Sequence, residues 1–111
     1  MAARAKGRGS SRETTVSVAG EVDAGNAKRF AHSVREAAGQ CATLVLDLSK
    51  VHFMAFDGAS ALYALSAHLG REGVSWCVVG SPSVRRVLQL CDPEGLIPLA
   101  AVSPIRDAEP A

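Results

Sequence analysis

The chain has 111 residues, of which 48% are hydrophobic, 5% aromatic and 21% charged. This length supports one hydrophobic core and is too short for two. Lys and Arg number 12 against 11 Asp and Glu, so the net charge of +1 predicts neither a nucleic-acid surface nor a polybasic membrane patch. The apolar runs are shorter than the roughly 18 residues of a membrane span. The composition therefore predicts a small, soluble, cytoplasmic domain.

The first thirteen residues differ from the rest in composition. Four cations (Arg4, Lys6, Arg8 and Arg12) lie there among Gly, Ser and Ala, and the segment lacks the apolar centre of a signal peptide. We predict a flexible basic tail over residues 1–13 and one domain over residues 14–111. A nucleic-acid-binding arm is the alternative for the tail, but no aromatic residues are interleaved with its cations.

Apolar periodicity beyond the tail predicts a strand followed by a helix. The segment Thr14–Ala19 alternates polar and apolar residues in the manner of a half-buried strand, which Gly20 ends. Asn26 is predicted to cap a helix over Ala27–Ala38, because its side chain can accept hydrogen bonds from the first helical N–H groups. Apolar residues recur there at helical spacing, and Gly39 ends the helix.

The second half of the chain continues this alternation. The aliphatic run Leu44–Leu48 predicts a central strand that is buried on both faces, as in parallel sheets. The elements predicted after it are a helix over Gly58–Leu69 ended by Gly70, a strand over Val74–Val79, a helix that begins at Ser81-Pro82, a short edge strand over Leu96–Leu99 and the start of a last helix at Ser103-Pro104.

The order of these elements predicts the fold class. Strands that alternate with helices are typical of right-handed βαβ crossovers, in which helices pack on a mostly parallel sheet. We therefore predict an α/β fold with four to five strands. No glycine-rich phosphate loop follows any strand, and no Ser-His-Asp or Cys-His arrangement occurs at a suggestive interval. The pattern thus argues against an enzyme.

Three segments of the chain match one family pattern in order and spacing. They are Gly20-Glu21-Val22-Asp23, the run from Leu44 to Met54 and the run from Val79 to Leu88. Together they resemble the STAS domain family over about residues 14–103. The resemblance implies the STAS fold and a binding role, with an anti-sigma factor of the ATP-binding kinase type as partner and release of a sigma factor as the result. A module that docks on a lipid or anion transporter subunit and a small-ligand or nucleotide sensor are the alternatives.

The loop after the second segment departs from that pattern. Family members usually carry Asp-Ser-Ser/Thr-Gly there, and the partner phosphorylates the first hydroxyl. The corresponding residues here are Ala55-Phe56-Asp57-Gly58, so the acceptor position has no hydroxyl. The resemblance then implies either an antagonist locked in its binding form or a weak-binding form in which Asp57 imitates phosphoserine. The third possibility is that Phe56 turns into the core and the surface is inert.

Partner contacts are predicted at the start of the second helix and on the neighbouring loop. The hydroxyl of Ser60, one helical turn beyond Phe56, is the candidate phosphorylation site that remains, although a small residue there also permits close helix packing. The predicted contact residues are Phe56, Asp57, Gly58, Ser60, Asp23 and Asn26.

The cysteines leave two interpretations open. Cys41, Cys77 and Cys91 form an odd set without CxxC spacing, which is typical of reduced, buried thiols. A regulatory disulfide is the alternative, either between Cys41, which immediately precedes the central strand, and Cys77 in the next strand, or between Cys77 and a Cys91 that faces it. The three histidines lie at no metal-ligand interval from cysteine or carboxylate residues. We therefore predict no metal and no cofactor.

Overall fold

The structure is a computed structural model that describes residues 1–7 and 12–100. Strands and helices alternate along most of the described chain. The elements are β1 (Ala2–Gly7), β2 (Glu13–Val22), α1 (Ala27–Ala38), β3 (Thr43–Met54), α2 (Phe56–Arg71), β4 (Ser75–Gly80) and α3 (Pro82–Cys91).

The four strands of the described residues form one mixed sheet in the order β1-β2-β3-β4. β1 is antiparallel to β2, whereas β2, β3 and β4 are parallel to one another. Helices connect the parallel neighbours, which need a crossover. The predicted α/β fold with a mostly parallel sheet is confirmed. Because parallel strands end at the same edge, the carboxyl ends of β2, β3 and β4 meet at one edge of the sheet.

β1 corrects the prediction of a flexible basic tail. Ala2–Gly7 pairs with β2, with Ala2 opposite Ala19. No hydrophobic pattern marked this strand, because the strand alternates alanine with Arg4 and Lys6 and offers little apolar surface. Small and cationic residues suit an edge strand, where they discourage pairing with another chain. The prediction of a flexible tail is therefore wrong for Ala2–Gly7.

The hydrophobic core lies on one face of the sheet. Leu44, Leu46 and Leu48 of β3 are 0% exposed and belong to one cluster with the buried residues of all three helices. Val45 and Asp47 point to the opposite face, because side chains alternate along a strand, and they stay partly exposed. The prediction of a central strand buried on both faces is therefore wrong. We call this second, partly exposed side the open face of the sheet.

Two predicted helix ends are confirmed. α1 ends at Gly39, whose φ of +59° is the left-handed conformation that favours glycine. α3 begins after Ser81, whose Oγ accepts a hydrogen bond from the N–H of Val84 at 3.2 Å, and Pro82 lies in the first turn. The Ser81 hydroxyl also donates to the carbonyl of Val51 at 2.6 Å, which attaches the start of α3 to β3.

Other predicted boundaries shift. α2 begins two residues earlier than predicted and continues through Gly70 to Arg71. The segment predicted as an edge strand over Leu96–Leu99 contributes a single bridge, between Leu99 and Val78 of β4. Residues 8–11 of the predicted tail and the last helix predicted at Ser103-Pro104 lie outside the described residues, whereas Glu13, also predicted as tail, is the first residue of β2.

A buried carboxylate that the sequence analysis missed joins α2, α3 and the segment after α3. Asp92 is 7% exposed and accepts hydrogen bonds from the N–H groups of Leu96 at 2.9 Å and Ile97 at 2.8 Å, and from the Tyr63 hydroxyl at 2.7 Å. Burial raises the pKa of Asp92, but these three donors outweigh it and hold the pKa below its ordinary value. The same bond, with burial and the nearby negative charge, raises the pKa of Tyr63 to about 12.

The hydrogen bonds that Asp92 accepts predict that the free energy of unfolding depends on pH. Because its pKa is lower in the folded chain, ionised Asp92 stabilises the fold above the ordinary carboxyl pKa of about 4, and this contribution is lost as the pH falls through the folded value. Asp92→Asn should lower the free energy of unfolding at pH 7 by about 1.5–3 kcal/mol and flatten its decline in acid. Urea titrations across acidic pH measure both effects. The exposed neighbour Glu94 supplies the control Glu94→Gln, and equal profiles for the two variants would contradict this role for Asp92.

Candidate functional site

Asp23 and Asn26 hold the turn between β2 and α1. The Asp23 Oδ1 accepts from the N–H groups of Gly25 at 3.0 Å and Asn26 at 3.2 Å. The Asn26 Oδ1 accepts from the N–H of Asp23 at 2.9 Å, and its amide donates to the carbonyl of Glu21 at 3.0 Å. Asn26 makes no side-chain bond to the first turn of α1, so the predicted capping bond is wrong. Both side chains instead satisfy the backbone of their own turn.

The junction between β3 and α2 is a single residue. Ala55 donates its N–H to the carbonyl of Val22 at 2.8 Å, which ties the start of α2 to the end of β2. Ala55 is extended and its side chain cannot cap the helix. The carboxylate of Asp57 lies in the first turn, where the positive end of the helix dipole favours negative charge.

Phe56 projects into solvent. Its side chain is 61% exposed, so the possibility that it turns into the core is wrong. Asp57 and Ser60 are also exposed, whereas Gly58 is buried. The start of α2 therefore presents an aromatic ring, a carboxylate and a hydroxyl within about one and a half helical turns.

Gly58 is buried because Met54 occupies the space beside it. A Cβ atom added to Gly58 would lie 2.6 Å from Cγ of Met54, closer than atoms of this kind approach. Met54 is itself 2% exposed and packs in the core. Gly58 thus permits the first turn of α2 to lie directly on the end of β3.

A groove between α1 and α2 brings Asp57 and Ser60 beside the β2–α1 turn. The groove has a volume of about 510 Å³. Apart from Lys28, its lining side chains are small, and Phe56, Asp23 and Asn26 are not among them. We call it the α1–α2 groove; it is lined by Ala24, Gly25, Ala27, Lys28, Ala31, Asp57, Ser60, Ala61 and Ala64.

The sequence analysis missed Phe53, which is 48% exposed at the end of β3. It lies opposite Glu21 of β2 in the sheet. The neighbouring His52 places its Nε2 3.3 Å from Oε2 of Glu21, and its carbonyl accepts from the Ser83 hydroxyl at 2.8 Å. No sequence signal marked Phe53, because the burial pattern of β3 departs from simple alternation after Leu48.

The three thiols are free and lie in different environments. Cys41 is 8% exposed within the core cluster, and Cys91 packs against that cluster. Cys77 pairs with Val45 and adjoins the fully buried Val78, which places Cys77 on the open face. The prediction that Cys91 faces Cys77 is therefore wrong. Redox regulation stays a prediction.

Neither a metal cluster nor a membrane-spanning helix occurs among the described residues. They contain no group of three or more His, Cys, Asp and Glu side chains placed to hold a metal ion. None of their helices is long and apolar enough to cross a membrane.

The mixed sheet with its helices on one side is the architecture of the STAS class. The model of the STAS domain family matches residues 4–106, and the chain belongs to this family. A curated relative, osmosensory protein A of Mycobacterium tuberculosis (strain ATCC 25618 / H37Rv), is 36% identical over 93 aligned residues. The match covers 78% of this chain and 58% of that protein, so this chain spans less than two thirds of the relative's length.

Solved structures agree with this assignment. An anti-sigma factor antagonist from Mycobacterium paratuberculosis is 28% identical, with a TM-score of 0.74 over 96% of this chain and 90% of the other. The unphosphorylated anti-sigma factor antagonist SpoIIAA is 16% identical, with a TM-score of 0.67 and coverage of 96% and 94%. SLC26A9 is 20% identical, with a TM-score of 0.67 over 77% of this chain and 17% of that protein. The last two similarities concern the fold alone.

The contact between Gly58 and Met54 predicts opposite effects for two glycines of α2. Gly58→Ala forces the buried Met54 to move and should lower the free energy of unfolding by about 1–3 kcal/mol. Gly70→Ala meets no atom within 4 Å and should raise it by about 1 kcal/mol, because alanine favours the helix. Urea denaturation measures both changes. Stabilisation by both substitutions would contradict the close contact at Gly58.

Proposed function

We propose that this protein is an anti-sigma factor antagonist. It binds an anti-sigma factor of the ATP-binding kinase type in the cytoplasm and thereby frees a sigma factor for transcription. The observation that carries the proposal is the exposed Phe56 at the first turn of α2, in a chain of which 96% is similar to an antagonist of comparable size. The mechanism requires only competition for a surface and no covalent chemistry on this chain.

Phe56 has the properties of an interface anchor. Its ring is large and 61% exposed, and it extends from the start of a helix whose first turn is fixed to the sheet. Aromatic residues on a rigid support lose little conformational freedom on binding and are enriched among the residues that dominate interface energies. Phe56 therefore provides the apolar contact, and Asp57 provides an adjacent charge at the same surface.

Regulation at position 56 cannot follow the family pattern, because phenylalanine has no hydroxyl. We propose that the chain is held in its binding form and that any phosphorylation occurs at Ser60, whose hydroxyl is exposed and lines the α1–α2 groove. A phosphate there would add up to two negative charges beside Asp57 and so change the charge of the proposed binding surface. The mycobacterial relative is named for osmosensing, which makes osmotic stress the first condition to test.

The proposal predicts a specific loss of binding for Phe56→Ala. The variant should keep its free energy of unfolding within about 0.5 kcal/mol but bind its anti-sigma factor about 30-fold more weakly, which corresponds to about 2 kcal/mol. Calorimetric titration against each purified ATP-binding anti-sigma factor of the source organism measures this. Leu96→Ala is the matched control, because Leu96 is also 61% exposed and lies after α3.

Three outcomes would contradict the proposal. Unchanged binding by Phe56→Ala would exclude this surface. Tighter binding by Asp57→Ser would show that Asp57 imitates a phosphoserine and weakens the complex. Binding of the unmodified chain to a transporter subunit or a nucleotide, and to none of the anti-sigma factors, would replace the proposed partner altogether.

A further inference from the structure

The α1–α2 groove lacks the large side chains that usually fill the space between two packed helices. Its lining residues on α2 are Asp57, Ser60, Ala61 and Ala64, and only Ala61 of these is buried. Within the described chain no ion pair joins Asp57 to a basic side chain. The groove therefore offers an apolar floor with an unpaired carboxylate at the start of α2, and Lys28 lines its α1 side.

The outer face of α3 carries a complementary arrangement. Leu90 is 67% exposed, the highest value among the large apolar side chains of the described residues. Arg86 precedes it by four positions, is exposed, and makes no ion pair with another described side chain. Residues four apart lie on the same helix face, about one turn from each other. α3 thus presents a cation and an apolar side chain as neighbours.

We propose that α3 of one molecule docks in the α1–α2 groove of a second copy of this chain. Arg86 and Leu90 have the same four-residue spacing as Asp57 and Ala61. When α3 of one copy lies parallel to α2 of the next, the guanidinium meets Asp57 while Leu90 enters the groove over Ala61 and Ala64. One relative placement of the helices therefore makes both contacts.

The contact joins two different surfaces, so it is heterologous. A dimer therefore keeps a free groove on one copy and a free α3 face on the other, so association proceeds to an open chain, or to a ring if the two ends meet. A docked copy covers Asp57 and Ser60, two residues of the surface proposed for the anti-sigma factor. Self-association therefore competes with partner binding, although its test requires no partner.

Sedimentation velocity of the full chain tests the contact. The average mass should rise as the concentration increases from about 10 μM to about 1 mM, the range expected of a small interface. Leu90→Lys and Ala64→Leu should each abolish the rise, the first by removing the apolar side chain and the second by filling the groove. The controls Leu96→Lys and Ala67→Leu change exposed residues outside the contact and should behave as the unmodified chain.

A mixture of the two disabled variants distinguishes this geometry from a symmetric dimer. Leu90→Lys retains an intact groove and Ala64→Leu retains an intact α3 face, so the mixture should form a 1:1 dimer that grows no further. A chain that stays monomeric at every concentration would overturn the proposal. Association that survives Leu90→Lys, or is lost in both controls, or is absent from the mixture would also overturn it.

Discussion

The position of α2 on the end of β3 determines the rest of the candidate site. Met54 is the last residue of β3 and fills the space beside Gly58, so that a single residue separates strand from helix. The bond from Ala55 to Val22 fixes the same junction to β2. Because these contacts fix the first turn of α2 to the sheet, the side chain of Phe56 extends into solvent. The close contact between buried Met54 and Gly58, which has no Cβ, therefore fixes where the Phe56 ring is exposed.

Under the proposed function, this arrangement separates the residue that binds the partner from the residue that is modified. In the family pattern, the residue at the start of the helix carries a hydroxyl. The same residue then contacts the partner and, when phosphorylated, controls binding. Here Phe56, the proposed contact residue, has no hydroxyl, while the nearest exposed hydroxyl on α2, that of Ser60, lies one turn away in the α1–α2 groove. An apolar anchor strengthens a protein interface but cannot be modified by a kinase. Under the proposed function, control therefore acts beside Phe56, by modification of Ser60 or by occupation of the α1–α2 groove.

The sequence predicted the features that depend on strong local patterns. The aliphatic run that predicted a strand at β3, the glycine at the end of α1 and the Ser81-Pro82 start of α3 each reflect a local preference of backbone or side chain. Features that depend on long-range contacts escaped prediction. β1 forms by pairing with β2 at the edge of the sheet. The Asn26 side chain bonds to the backbone of the β2–α1 turn and not to the first turn of α1. The exposure of Phe53 likewise depends on how the sheet edge meets α2, which no local pattern encodes, whereas the exposure of Phe56 agrees with its prediction as a surface residue.

The most direct test of the proposed partner surface is hydrogen–deuterium exchange of the chain, alone and in complex with the purified anti-sigma factor that binds it. The account predicts slower exchange of the backbone amides at the end of β3, through the first turns of α2 and in the β2–α1 turn, with little change on the open face. Protection confined to β1, to the open face or to the segment after α3, with unchanged exchange around Phe56, would contradict it.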